Sequence, residues 1–254
     1  MKIAIYQYGV LWMKPEENLG LIEEVAMKVS GNCDLLILPE MFNTGYTMTP
    51  KDIPIECQEK TISKLKDIAT KYNLVIGGSI PYQKHSLWYN TMIFVSSEGL
   101  IFSYDKVHLF TSAGEKEVYS AGTEIKSFSL YNLNILPLIC YDLRFSYLAN
   151  TQATYDIIIY SANWPEARIE HWRSLLKARA IENQCYVIGV NRTGSDPNGY
   201  IYPGSSMVVN YNGDILECLD DNPGYAVVEV IKELLENYRK KLPFLHDRKS
   251  NFLR

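Results

Sequence analysis

ILPLICYDLRFS, residues 135–146, is an apolar run that stops abruptly at a cysteine. The stretch from Leu133 to Ile139 is short and apolar, as expected of a strand enclosed by other elements. Cys140 ends it, and the residues that follow read as a helix start. A nucleophile at such a strand-to-helix turn stands at the rim of a sheet, beside backbone N–H groups that can hold an oxyanion. A helix N-terminus also lowers a thiol pKa and favours the reactive thiolate. Taken alone, the segment also describes a small core residue, because free cysteine is among the most buried types.

Outward from this stretch, short strand-like runs recur. Lys2 to Tyr8 alternates, Asp34 to Leu38 and Tyr155 to Tyr160 are buried strands, and Leu74 to Ile80 is apolar with two glycines. Tyr186 to Val190 and Val227 to Val230 are further strands. Thr91 to Ser96 and Leu100 to Tyr104 flank a turn at Glu98-Gly99. Met207 to Asn210 pairs with Asp214 to Glu217 across Asn212-Gly213, a two-residue hairpin signal. Helical spacing covers Pro15 to Val29, ended by Gly31, then Thr61 to Tyr72, Ile169 to Glu182 and Glu233 to Lys241. Strands outnumber helices and interleave with them, which argues a layered α/β domain. Periodicity leaves open whether they form one sheet or two.

The chain has 254 residues, suited to one large domain or two small ones, and no linker or repeat divides it. Apolar residues make up 47% and charged residues 21%, enough to build a sizeable core. A net charge of -4 gives no electrostatic reason to expect nucleic acid or an anionic membrane. The basic cluster Arg239, Lys240, Lys241 reads as a solvated helix end. No stretch approaches the roughly 18 apolar residues of a membrane span, and MKIAIYQYG is not expected to be a signal peptide. Five cysteines, Cys33, Cys57, Cys140, Cys185 and Cys218, are odd in number and widely spaced, with no C-x-x-C pair. Neither a disulfide scaffold nor a metal site is expected, and reduced thiols in a cytoplasm fit better. Cys33, Cys185 and Cys218 lie in or beside apolar strands and read as core, while Cys57 sits in a polar stretch.

A nucleophilic cysteine needs a base. His85 and His246 have loop-like surroundings, His171 lies on the long helix and His108 sits in KVHLF, none within a recognisable protease signature. A Cys/His pair stays open without support. A carboxylate serves equally if its surroundings raise its pKa. LLILPEMFNTGY places Glu40 just past a buried strand among apolar Leu38, Met41 and Phe42. Lys106, in FSYDKVHLF, follows another strand and suits Asp105 or a remote carboxylate as partner. Each residue alone also fits a bland surface role. What joins Glu40, Lys106 and Cys140 is position, at or just beyond the C-terminal end of an apolar strand, where α/β sites collect.

The segments LPEMFNTGY, YDKVHLF and LICYDLRF, in that order and separation, resemble the three signatures of the nitrilase superfamily, the carbon–nitrogen hydrolases with a Glu-Lys-Cys triad. The resemblance runs from the first strand to YRKKLPF near the end. It implies a single domain over 1–254, folded as a four-layer αββα sandwich and paired as a homodimer. It implies a catalytic set of Glu40, Lys106 and Cys140, with Glu115 in HLFTSAGEKEVYSAG as a second glutamate near the lysine. SANWP matches the pocket-lining loop. Within the superfamily, ANWPEAR, HWRSLLKARAIENQ and NRTGSDPNGY resemble bacterial omega-amidases, which implies a small-molecule amide such as 2-oxoglutaramate as substrate, released ammonia, and no cofactor.

On that resemblance Glu40 is the base, and Lys106 with the Tyr141 N–H holds the oxyanion. Arg168 is the first candidate to grip a substrate carboxylate, and Phe42, Tyr46 and Trp164 are candidate pocket walls. Arg144 reads as a structural ion-pair partner. The rivals are an N-carbamoyl amino acid hydrolase, a deaminated-glutathione amidase, a nitrilase, a non-catalytic relative and a Cys/His peptidase.

Overall fold

The computed structural model describes residues 1–150 and 154–249. Its strands in chain order are β1 (Lys2–Gln7), β2 (Leu35–Ile37), β3 (Val75–Lys84), β4 (Leu87–Ser96), β5 (Gly99–Asp105), β6 (Phe128–Leu130) and β7 (Leu133–Ile139). They continue with β8 (Ile157–Ser161), β9 (Tyr186–Val190), β10 (Thr193–Ser195), β11 (Ile201–Pro203), β12 (Met207–Val209), β13 (Ile215–Cys218) and β14 (Gly224–Glu229). The helices are α1 (Pro15–Val29), α2 (Glu56–Tyr72), α3 (Glu115–Val118), α4 (Ile169–Asn183) and α5 (Lys232–Lys241).

Among the described residues the strands form two six-stranded sheets and a two-stranded β10-β11 ribbon. The first has the order β14-β1-β2-β3-β4-β5 and the second β13-β12-β9-β8-β7-β6. Each is built on three parallel strands, β1-β2-β3 and β7-β8-β9, extended by antiparallel neighbours. Two antiparallel steps, β3 to β4 to β5, return β5 to the direction of β2. The strands that precede Glu40 and Lys106 therefore run the same way in the first sheet.

Side-chain alternation explains the layering. In β1 and β2, Ile3, Ile5, Leu35 and Ile37 join the core shared with the second sheet. Their neighbours Ala4, Leu36 and Leu38 point the other way, under Leu19, Ile22, Val25 and Ala26 of α1 and Leu65 and Ile68 of α2. A strand that is apolar on both faces must be covered on both. In the second sheet Trp172, Leu176 and Ala180 of α4 cover the far face, and Gly189 of β9 gives them room, since a Cβ there would lie 2.4 Å from Leu176. The order is helices, sheet, sheet, helices.

α1 begins at Pro15 with Glu16 and Glu17 in its first turn and Lys28 in its last, as the helix dipole favours. α2 starts earlier than the periodicity predicts, at Glu56, and places Cys57 on its buried face. The expected two-residue hairpin at Asn212-Gly213 is a longer connection. Asn210 N–H bonds Asp214 O at 2.9 Å and Gly213 takes a positive φ of 87°, so three residues span the turn beside a bulge. Cys218 is exposed on edge strand β13 and is not a core residue. Arg239 is not simply solvated, because it bonds Asp156 Oδ1 at 3.1 Å and Gln184 O at 2.9 Å. Among the described residues, no helix is long and apolar enough to cross a membrane.

Candidate active site

Four chain segments meet where the two sheets face each other. Glu40 follows β2 on a loop held by Ser161 Oγ on Leu38 O and Ser79 Oγ on the Met41 N–H. Lys106 leaves β5 with its own N–H on Asn90 O. Glu115 opens α3, and Cys140 ends β7 at the head of a five-residue 3-10 turn, Cys140–Arg144.

The three charged groups are fully enclosed. Lys106 Nζ donates to Glu40 Oε1 at 2.8 Å and to Glu115 Oε1 and Oε2 at 3.0 and 2.9 Å. Asp105, the other partner open to this lysine, is taken instead by Lys84 and by Thr91 Oγ1. Asn90 Nδ2 bridges the glutamates, at 2.7 Å from Glu40 and 3.1 Å from Glu115. The Phe110 N–H reaches Glu115 Oε2 at 2.6 Å and the Asn163 N–H reaches Glu40 Oε2 at 2.9 Å. Buried carboxylates persist as anions only when paired and hydrogen-bonded, and these are both. Burial pulls the Lys106 ammonium toward neutrality, but Glu115 and then Glu40 outweigh it and hold its pKa well above the usual lysine value.

Cys140 is half-buried, with Sγ 3.9 Å from Asn163 O. The same asparagine thus touches both thiol and base, with Nδ2 on Glu40 O at 2.8 Å. Burial first, and the Glu40 charge second, push the Cys140 thiol well above the ordinary cysteine value, while Lys106 pulls the other way. The expected lowering by a helix N-terminus does not occur. The segment is one short turn, and its weak dipole is overruled by desolvation and a nearby anion.

A cavity of about 440 Å³ opens over Cys140. Tyr46, Tyr141, Trp164 and Arg168 line it, as expected, with Phe110, Trp12 and Tyr202. Phe42 does not. It is fully buried beneath the sheet, where it occupies the gap left by Gly78, so it is a core residue. Arg144 is no ion-pair partner either. It lines the cavity, lies 4.9 Å over the Trp164 ring and meets His171 Nδ1 at 3.2 Å. Arg168 lies 5.4 Å from the Phe110 ring centre. Among the described residues neither arginine has a carboxylate within salt-bridge distance, so two uncompensated cations face the cavity. The aspartate that lines it, Asp196, is occupied by Tyr202 Oη and two backbone N–H groups.

Asn90, Asn163 and Arg144 were not assigned to the site from sequence. Asn90 sits mid-strand in β4, where only an inward polar side chain in an apolar run signals it. Asn163 lies in the SANWP loop and Arg144 four residues beyond the cysteine. His108 is no partner for the thiol, being engaged with Asp142 and Tyr147.

The sequence profile of the carbon-nitrogen hydrolase family matches residues 2–240. The chain is 37% identical over 250 residues to omega-amidase YafV of Yersinia enterocolitica, covering 97% of this chain and 96% of that protein. It is 35% identical over 250 residues to 2-oxoglutaramate amidase of Bacillus subtilis, covering 96% of each. Its fold superposes with a TM-score of 0.94 on a CN-hydrolase superfamily protein of Xanthomonas campestris that carries an arsenic adduct in its active site. That pair is 29% identical, with 98% of this chain and 97% of the other covered.

Proposed function

The chain belongs to the carbon–nitrogen hydrolase family and hydrolyses carbon–nitrogen bonds other than peptide bonds, and on that premise we propose that it is a cysteine-dependent omega-amidase. Its substrate is the amide of a small dicarboxylate monoamide, such as 2-oxoglutaramate or 2-oxosuccinamate. One observation carries the reading. Lys106 is clamped between two buried carboxylates beside the Cys140 thiol, and the cavity over that thiol is lined by Arg144 and Arg168, neither with a carboxylate partner among the described residues.

The chemistry follows from the protonation states. The resting sulfur is a thiol, so attack requires a base in place, and Glu40 takes the proton as sulfur adds to the amide carbon. The oxyanion is held by the Lys106 ammonium and the Tyr141 N–H, since the first N–H groups of a helical turn lack partners within it. Glu115 and Asn90 keep the lysine charged and aimed. Glu40 then protonates the departing nitrogen. The C–N bond breaks, ammonia leaves and a thioester remains, which water, activated by the same carboxylate, hydrolyses. Arg168 and Arg144 grip the substrate's distal carboxylate. Two unpaired cations repel an α-ammonium, so a 2-oxo acid amide is favoured over the matching amino acid amide.

This reading also takes the protein to be a cytoplasmic homodimer. Its five cysteines are all unpaired, and Ile215, Leu216 and Tyr225 are exposed on the edge strands β13 and β14. Sedimentation equilibrium is expected to give twice the chain mass. Ammonia release measured on 2-oxoglutaramate, glutamine and an N-carbamoyl amino acid, with Cys140→Ala as control, tests the activity. The expected order places 2-oxoglutaramate at least tenfold ahead in kcat/KM, with the control inactive. Equal or better turnover of the carbamoyl compound removes the omega-amidase reading.

A further inference from the structure

Asp142 is a fully buried carboxylate that takes no part in the steps above. Its Oδ2 accepts from Tyr104 Oη at 2.8 Å and from the Ile139 N–H at 3.0 Å. Its Oδ1 accepts from the His108 N–H at 2.9 Å and lies 3.2 Å from His108 Nδ1. Among the described residues no lysine or arginine pairs with it; the partly buried His108 ring lies against Oδ1. A buried carboxylate of this kind loses its hydration, and well-packed apolar residues often fold as stably or better. Stability alone does not account for it.

Its partners do. Tyr104 and His108 stand two residues before and two residues after Lys106, and Ile139 immediately precedes Cys140. The first two belong to the exit of β5 in one sheet, the third to the exit of β7 in the other. The one carboxylate therefore bolts the lysine segment to the nucleophile turn across the sheet interface. Cys140 also needs an anchor, because its φ of 44° is in the left-handed region that a side chain with a Cβ disfavours. Asp142 pins that turn from within through Ile139. Arg179 of α4 pins its far end, with Nη2 and Nε on Leu143 O at 2.7 and 3.1 Å.

We propose that Asp142 is a positioning residue that sets the Cys140 sulfur against the Lys106 ammonium. It touches no substrate. The proposal rests on the roles given to Cys140 and Lys106 above.

Asp142→Asn tests it. The variant keeps the size but turns an N–H₂ either toward Tyr104 Oη and the Ile139 N–H, which share Oδ2, or toward the His108 N–H on Oδ1, so that a backbone donor faces a donor in both cases. Rates are taken per folded molecule, from the native fraction in a denaturant melt. A misplacement near 1 Å costs on the order of 10²-fold in rate, so kcat is expected to fall about 100-fold. KM, and the inhibition constant of the product 2-oxoglutarate, are expected to stay within about threefold, because the arginines that read the carboxylate are untouched. A kcat within about threefold of the parent, or a loss that appears equally in KM and product binding, overturns the proposal. Where Asp142→Asn does not fold, Tyr104→Phe decides, since it removes one donor and keeps the ring. There kcat is expected to fall about tenfold or more with KM unchanged, the scale of one hydrogen bond to a charged group, and an unchanged kcat overturns the proposal. Ammonia release by Cys140→Ala would sink the nucleophile assignment and is read separately.

Discussion

Cys140 is held as a thiol at rest by burial and by the Glu40 carboxylate, and the two causes can be pulled apart. Replacing Glu40 by glutamine removes the second cause and the proposed base together. The titration of Cys140 is expected to move to lower pH, while ammonia release falls on the order of 10²–10⁴-fold. Iodoacetamide labelling of the Cys140 peptide against pH, followed by mass spectrometry, separates it from exposed Cys218. A titration that moves upward would mean that Glu40 is not a negative neighbour of the thiol. The two arginines over the cavity make the same point about residue identity. Arg144 and Arg168 are proposed as substrate readers because both line the cavity and, among the described residues, neither has a carboxylate within salt-bridge distance, which a list of residues does not reveal.

At the level of elements, the exit of β5 depends on the strand-free stretch that follows α3. The Gly122 N–H bonds Lys106 O at 2.8 Å, and a Cβ on Gly122 would lie 2.2 Å from Asp105 O. That obstacle is backbone, so it cannot swing aside. Gly122→Ala is expected to push β5 and Lys106 out of place, lowering the melting temperature by several degrees and kcat by tenfold or more. Calorimetry and ammonia release check the two parts. An alanine variant with parental melting temperature and rate would show that the strap is free to shift. In the sequence Gly122 is simply the last residue of HLFTSAGEKEVYSAG, and the close approach that requires glycine exists only once the strap lies on β5. The long helices and central strands were legible, because α1, β7, β9 and α4 carry local periodicity, and α1 also opens on Pro15. β6, β10 and β11 were not, because their FSL, TGS and IYP lack the continuous apolar run that marks the equally short β2 and β12.

The whole molecule hides thiols in both cores. Burial raises Cys33 from 9.0 to about 11 and Cys185 from 9.0 to about 12. For both, the folded value lies above the unfolded one. Their contribution is therefore complete below the ordinary thiol pKa and is lost as pH rises through the folded values. Stability is expected to fall from about pH 9 upward, by about 1.4 kcal/mol per pH unit for each such thiol. Urea midpoints at pH 7.5 and 10.5 check this, and Cys185→Ala is expected to show the smaller drop. An equal drop in parent and variant would place the alkaline loss elsewhere. The double-sheet sandwich is what buries these groups, by stacking two apolar faces and covering the outer two with helices.

Read without coordinates, the chain already specified its α/β class, its main strands and helices, and the three motif residues Glu40, Lys106 and Cys140. Those depend on patterns a few residues long, repeated at strand ends. Folding decided the rest: how the strands divide between the two sheets, Phe42 in the core, a thiol raised instead of lowered, and Arg144 at the cavity. Each of those is a matter of what stands opposite a side chain, and burial and charge pairing are made by segments distant along the chain.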